Sequence, residues 1–332
     1  MNVATKLVGF AAGVAVVFGG AAGVGAVVGP LGDGASASSE SMAEHGPDAE
    51  DAHDSGSGAD HGSKHAGGDS GELPGGLMIS QGGYELDLAE ATLPAESDAP
   101  LRFRILRHDG EPVTEYAEEH GKALHLIVVR RDMVGYQHVH PTLGSDGVWS
   151  ADVDLSAAGE YRTFADFVPT GGEGLTLGAD ISAAGTYEPR TLPDPARSTQ
   201  VGDYEVELDG NLVPGESSAL TLTVSKNGEP VTDLQPYLEA YGHLVALRDG
   251  DLAYLHVHPD GSPADGSTKP GPQIRFLAEA PSTGSYRLFL DFKHDGEVRT
   301  AQFTMNAGSA SSARSAGNAV PGGHGESDHG HD

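Results

Sequence analysis

The chain has 332 residues, with 49 acidic and 19 basic side chains, a formal net charge of -30 and no cysteine. This length allows two ordinary domains, and the acidic balance argues against nucleic acid as a partner. The lack of cysteine excludes disulfides, thiolate metal sites and cysteine nucleophiles, so imidazole and carboxylate are the main metal ligands left.

Residues 1–37 contain one lysine followed by an uncharged run over Leu7–Gly29. This run is long enough to cross a bilayer at about 20 residues per span. The sequence "ASA" at Ala35–Ala37 also suits a signal-peptide cleavage site. We therefore predict a transmembrane anchor or a signal peptide, and both put the rest of the chain outside the cytoplasm.

Two segments are too polar to bury a core, and we expect both to be disordered. Residues 38–75 form an acidic, Gly- and Ser-rich linker, and residues 308–332 form a tail of similar composition. Their histidines are His45, His53, His61, His65, His324, His329 and His331. Two interpretations stay open for them, a solvated spacer and a weak collector of metal ions.

An internal repeat lies between these segments. "DGEPVTEY", "HLIVVRRD" and "HVHP" return as "NGEPVTDL", "HLVALRDG" and "HVHP" at a constant offset of 118 positions. "GEYRTFADF" returns as "GSYRLFLDF" at an offset of 125, because the second copy has the longer loop "PDGSPADGSTKPGP". We predict two homologous domains, 76–190 and 199–307, joined by a Pro-rich linker at 191–198.

Each copy is predicted to be a β-sandwich. Short alternating stretches such as "PLRFRIL" and "YRTFADF" recur with turn signals between them, which predicts an all-β, Ig-like or cupredoxin-like fold. "VTEYAEEHGKAL" and "VTDLQPYLEAYG" each predict one short helix. We assign Trp149 to the core, and the pairs Tyr161-Arg162 and Tyr286-Arg287 with Phe164, Phe167, Phe289 and Phe292 to the sandwich core and rim.

Three histidines recur with the same spacing in both copies. In the second copy "RDGDL" predicts a hairpin turn, which places His243 opposite either His256 or His258. In both registers the three imidazoles share one face, since side chains alternate along a strand. The first copy keeps the spacing with His125, His138 and His140 although its turn, "RRDMVG", is different. We predict one three-histidine metal site in each copy.

A closed site needs a fourth ligand. Asp166 and Asp291 occur in both copies of "F-x-D-F", and each can bind the ion or hold a histidine by its second nitrogen. A salt bridge or turn is the alternative role for these aspartates. His120 is set aside because Leu238 occupies its position in the second copy. The predicted metal ligands are His125, His138, His140, Asp166, His243, His256, His258 and Asp291.

At "HLIVVRRD", "YQHVHP" and "YRTFADF" the chain resembles actinobacterial secreted or membrane-anchored proteins of unassigned role that carry tandem HVHP repeats. It is more distantly similar to the YtkA-like and copper-resistance-protein-C-like families. This resemblance implies an extracytoplasmic β-sandwich, and the copper assignment of the distant families is not carried over. The copper-resistance family uses an N-terminal histidine or methionines as ligands, and this sequence departs from that pattern.

We therefore expect an extracytoplasmic protein that binds divalent metal ions, Cu(II) or Zn(II), for sequestration or delivery. The alternative is a non-catalytic Ig-like adhesion or sensor module whose histidines are structural. We predict no enzyme, since no Gly-rich phosphate loop follows a strand. The stretch after Gly135 is similar to the first cupin motif but lacks its glutamate and the second motif. A metal-dependent oxidase is a third, weaker alternative, and no protein partner is predicted.

Overall fold

A computed structural model describes residues 73–308, apart from the side chain of His256, and this part of the chain is all β, as predicted. The first repeat contains β1 (Ser80–Gln81), β2 (Tyr84–Leu88), β3 (Thr92–Leu93), β4 (Ala99–Arg107), β5 (Tyr116–Ala117), β6 (Leu124–Arg130), β7 (Gln137–Val139), β8 (Thr142–Leu143), β9 (Trp149–Val153), β10 (Gly159–Pro169) and β11 (Leu175–Ala183). The second contains β12 (Ser198–Val201), β13 (Tyr204–Asp209), β14 (Ser217–Lys226), β15 (Glu229–Pro230), β16 (Gly242–Arg248), β17 (His256–Pro259), β18 (Gln273–Glu279), β19 (Gly284–His294) and β20 (Glu297–Ala307).

The first repeat is a sandwich of two sheets. One sheet has the order β1-β2-β4-β9-β8, and the other has the order β3-β11-β10-β6-β7. Alternating residues of β4, such as Phe103 and Ile105, are buried between the sheets, where they meet Trp149 and Tyr161. Trp149 is a core residue, as predicted.

The second repeat is built in the same way. The sheet β12-β13-β14-β18-β17 faces the sheet β16-β19-β20, and between them lie Tyr204, Phe276, Tyr286 and Phe303. β14 shows why such strands form, because its residues alternate between a buried and a more exposed face.

The segments predicted to be short helices are not helical. Residues 113–124 contain β5 and a two-residue turn in which Glu119 and Lys122 exchange both backbone hydrogen bonds. His120 and Gly121 at this turn have positive φ angles, 50° and 71°, which suits a tight hairpin and not a helix. A 3₁₀ turn at Pro263–Asp265 is the only helical element among residues 73–308.

A third apolar layer lies between the two repeats. All residues of β6 are buried, on both faces of the strand, which is the pattern of a strand covered on both sides. Its outer face, with Ile127 and Val129, packs against Val245 and Leu247 of β16. This layer explains why "HLIVV" and "HLVAL" are continuous apolar runs rather than alternating ones.

Aromatic pairs show that approximate two-fold symmetry relates the two sides of this layer. The ring of Tyr136 stacks on Phe289 with centroids 4.1 Å apart, and the ring of Tyr254 meets Phe164 at 5.6 Å. These residues correspond to each other through the repeat offsets, so each repeat offers the same patch to the other. Phe164 and Phe289 therefore belong to the inter-repeat layer, whereas Phe167 and Phe292 lie in the sandwich cores as predicted.

The segment before β1 lies along the same junction. Gly75 O accepts a hydrogen bond from the backbone of Tyr254, and Arg162 donates to Gly76 O. Gly76 has a φ angle of 73°, and a Cβ there would lie 2.3 Å from the ring of Phe164. Only glycine fits this close approach.

In residues 73–308, no helix is long and apolar enough to cross a membrane. The predicted anchor or signal peptide, the His-rich linker up to residue 72 and the tail from residue 309 lie outside the described residues.

Candidate metal centre

The three histidines of the first repeat meet at one point. β6 and β7 pair in a register that aligns Ile127 with His138 and would align His125 with His140. This is one of the two predicted registers, and it puts all three side chains on the face that carries Ile127. The ring centroids of the three pairs lie 5.3, 5.1 and 5.0 Å apart.

The nitrogen atoms of these rings converge. His125 Nδ1 lies 3.1 Å from His138 Nε2 and 3.3 Å from His140 Nε2. An ion bound tetrahedrally at about 2.05 Å would hold its nitrogens about 3.3 Å apart and its ring centroids about 5.2 Å apart. Among the described residues, this trio alone forms a group of three or more such side chains whose ligand atoms all lie within 4.8 Å of one another.

A backbone carbonyl fixes the orientation of His125. His125 Nε2 lies 3.0 Å from Glu119 O. Because a carbonyl can only accept, Nε2 carries the hydrogen. The Nδ1 atom of a neutral His125 is therefore unprotonated and points at the other two rings. The turn at His120 and Gly121 positions the carbonyl of Glu119. The left-handed backbone of this turn therefore helps to determine which nitrogen of His125 carries the hydrogen.

A carboxylate of the other repeat fixes His138. His138 Nδ1 lies 3.0 Å from Asp291 Oδ2, and both side chains are almost completely buried. Asp291 is held by Thr300, its neighbour across the sheet, whose hydroxyl donates to Oδ1 at 2.6 Å. Tyr136 donates to Oδ2 at 3.4 Å. A carboxylate on the second nitrogen of a histidine is the usual outer support of a metal ligand.

With both rings neutral, the hydrogen bonds to Glu119 O and Asp291 leave one unprotonated nitrogen on each ring. His125 Nδ1 and His138 Nε2 are 3.1 Å apart, and neither has a hydrogen to donate when both rings are neutral. Burial lowers the pKa of His125 to about 3 and that of His140 to about 4. At neutral pH both are neutral imidazoles, the form that binds metal ions.

The second repeat builds the counterpart of His125 in the same way. His243 Nε2 donates to Tyr237 O at 2.9 Å and approaches Leu238 O at 3.1 Å. Leu238 and Glu239 form a turn with positive φ angles, 51° and 61°, in the place of His120 and Gly121. Burial lowers the pKa of His243 to about 4. Its ring centroid lies 6.1 Å from that of His138.

The other histidines of the second repeat follow a different path. Leu247 and Tyr254 bridge in the predicted hairpin register, but β17 then pairs with β18, so that His256 faces Glu279. The predicted ladder between β16 and β17 is therefore wrong beyond Leu255, because the strand takes its hydrogen bonds from the other sheet. His258 is exposed, and the side chain of His256 lies outside the described residues. A three-histidine site in this repeat stays a prediction.

The two aspartates occupy equivalent positions in their sheets. Asp166 pairs with His125 across β10 and β6, and its Oδ1 accepts from the Thr176 hydroxyl at 2.9 Å. Asp291 pairs with His243 in the same way, but its Oδ2 is used by His138 of the first repeat. The sequence predicted that each aspartate serves its own repeat, and Asp291 instead supports the other one.

Sequence reasoning set aside one residue that lies in this cluster. The ring of His120 is 5.2 Å from His243 and 6.2 Å from His125. Comparison of the repeats excluded His120 as a shared ligand, because its counterpart in the second repeat is Leu238. His294 lies elsewhere, between Tyr204 and Asp233.

Comparison with known protein families identifies the repeat. A family described as "Domain of unknown function (DUF8832)" matches residues 79–185 and again residues 199–309. No curated protein matches the sequence.

Solved structures of bacterial surface proteins are similar in part. They include the Escherichia coli adhesin FdeC, with 15% identity, 69% of this chain and 65% of that chain covered, and a TM-score of 0.23. Yersinia pseudotuberculosis InvD has 14% identity, 70% and 59% coverage and a TM-score of 0.23. A putative membrane-anchored protein from Corynebacterium diphtheriae has 10% identity, 69% and 59% coverage and a TM-score of 0.20. The chain thus spans less than two thirds of each of these structures.

Proposed function

We propose that this chain, which belongs to the DUF8832 family and carries two copies of its domain, binds a divalent metal ion through His125, His138 and His140. One observation carries the proposal. His125 Nδ1 and His138 Nε2 lie 3.1 Å apart, and with both rings neutral and their other nitrogens bound to Glu119 O and Asp291, neither has a hydrogen to donate to the other. An ion between them would bind both nitrogens. Imidazole suits both Zn(II) and Cu(II).

The surroundings support a binding role. Outer hydrogen bonds from Glu119 O and Asp291 orient the rings before an ion arrives, which lowers the cost of ordering ligands on binding. The role that follows is sequestration or delivery, without catalysis. The apolar run at Leu7–Gly29 supports a position outside the cytoplasm.

The test is native mass spectrometry of the full chain with Zn(II) and with Cu(II), in the presence of a weak competing chelator that strips ions from exposed histidines. The matched variant is H138A/H140A, with circular dichroism to check its fold. The proposal predicts one tightly held ion in the wild-type chain and one fewer in the variant. Equal stoichiometry in the two folded proteins would instead favour the structural role of the histidines in an adhesion or sensor module.

A further inference from the structure

The three-histidine centre lacks a ligand. A closed tetrahedral metal site takes four protein ligands, and the trio supplies three. Asp291 already binds Nδ1 of His138, on the side of the ring away from the converging nitrogens. Its carboxylate therefore serves as an outer support, and the fourth position needs another side chain or a water molecule.

We propose that His243 is the fourth ligand, so that one ion is held by both repeats and locks them together. This inference rests on the proposed function of the trio. His243 is a buried imidazole of the second repeat whose ring centroid is 6.1 Å from that of His138. Two rings on one tetrahedral ion lie about 5.2 Å apart, so His243 must approach His138 by about 1 Å and must also close on the rest of the trio, whose ligand atoms lie within 4.8 Å of one another without it.

His243 leaves the same nitrogen available as His125 does. Its Nε2 is used by the carbonyls of Tyr237 and Leu238, so its hydrogen lies there and Nδ1 is left as an acceptor. His125 has the same arrangement, with Nε2 on Glu119 O. Both histidines open a strand after an equivalent turn, and both therefore present Nδ1.

The layer between the repeats brings the two strands together. Ile127 and Val129 of β6 pack with Val245 and Leu247 of β16, and His125 and His243 stand near the start of these same strands. An ion bound by both would tie the repeats at the end of an apolar layer. Ion binding and the closeness of the repeats would then stabilise each other, as linkage requires.

His120 provides a matched control, because it also lies in the cluster. It is 5.2 Å from His243 and 6.2 Å from His125, but its position on the turn is partly exposed. A water molecule is the other competitor for the fourth position. His243 or His120 as the fourth ligand gives four imidazoles, whereas water gives three, and the alanine variants distinguish the two histidines.

The experiment uses the full chain loaded with Co(II), which reports coordination number by its visible absorption, and with Zn(II), whose nitrogen ligands are counted by X-ray absorption. The variants are H243A, H243Q as a milder replacement, and H120A. We expect four imidazoles in the wild-type and H120A proteins, and three in both His243 variants. The affinity should fall about 10- to 100-fold on loss of His243.

Hydrogen exchange then tests whether the ion holds the two repeats together. In the wild-type chain, the ion should slow amide exchange in β16 and β19 of the second repeat, as well as in β6 and β7. In the His243 variants, saturated with metal, the slowing should be confined to the first repeat. An unchanged affinity and an unchanged cobalt spectrum in both folded His243 variants would overturn this inference alone. A wild-type chain that binds no more tightly than H138A/H140A would instead overturn the proposed function.

Discussion

The segment HVHP occurs twice in this chain, with different strand pairing in each copy. β7 carries "QHV" beside β6, where His138 reaches Asp291 of the other repeat. β17 carries "HVHP" beside β18, and its His258 is exposed. The motif thus joins the sheet that contains β6 in one copy and the sheet that contains β18 in the other, in both cases as an end strand. Repetition of a motif therefore predicts neither the sheet that its strand joins nor the ligands around it.

The largest effect should come from the layer that holds the repeats together. Phe164 and Phe289 are counterparts, and both are fully buried. Truncation of either to alanine should lower the free energy of unfolding by about 3–5 kcal/mol, because it leaves a cavity. Urea denaturation measures this, with the exposed Val298 truncated to alanine as the control.

If F164A and F289A differ strongly, the two halves of the layer are not equivalent, and the approximate symmetry of the aromatic pairs would not extend to their energetics. If neither destabilises the protein, the repeats are not held by this layer.

The next largest effect compares the contributions of the two HVHP segments to metal binding. His140 and His258 are counterparts at the repeat offset. H140A should weaken metal binding about 100-fold or more, because it removes one of three converging ligands, while H258A should change it less than about twofold. Competition with a colorimetric chelator measures both. Equal losses in the two variants would show that the second repeat holds a site of its own.

A smaller effect should distinguish the aspartates. Loss of an outer carboxylate typically costs 10- to 100-fold in metal affinity. D291N should weaken the first-repeat site by roughly this range, since Asp291 orients His138. The outer hydrogen bonds of His125 and His138 run to Glu119 O and Asp291, so D166N should leave that site unchanged. Calorimetric titration of both variants makes this comparison, and a loss in D166N alone would reverse the assignment.

The sequence was sufficient for much of this arrangement. The repeat and the alternation of residues as in β4 predicted two all-β sandwiches, and the spacing of His125, His138 and His140 predicted one shared face. What it could not predict is the role of Asp291. Hydrophobic periodicity describes a strand and its own sheet, whereas the contact of Asp291 with His138 depends on how two sandwiches pack.

His120 was missed for a related reason. Comparison of the two copies keeps only residues that both contain, so it overlooks a neighbour of the cluster that one copy lacks. The apolar run "HLIVV" held a usable signal, because a strand buried on both faces must be covered by something outside its sandwich. The predicted helices failed because the turn at His120 and Gly121 needs left-handed backbone.

The smallest effect concerns pH and compares His125 with His243, the counterparts on the two sides of the junction. Burial holds the pKa of His125 at about 3 and that of His243 at about 4, against an ordinary value of 6.5. The unfolded chain therefore binds more protons than the folded chain as the pH falls below about 6.5. Without metal, the free energy of unfolding should be greatest above that pH and should decline between pH 6.5 and 5. Each histidine contributes at most about 1.4 kcal/mol per pH unit. Urea denaturation of the chelator-treated protein measures the slope, which H125Q and H243Q should each reduce, and a wild-type stability that stays flat over this range would contradict the expected burial of both rings.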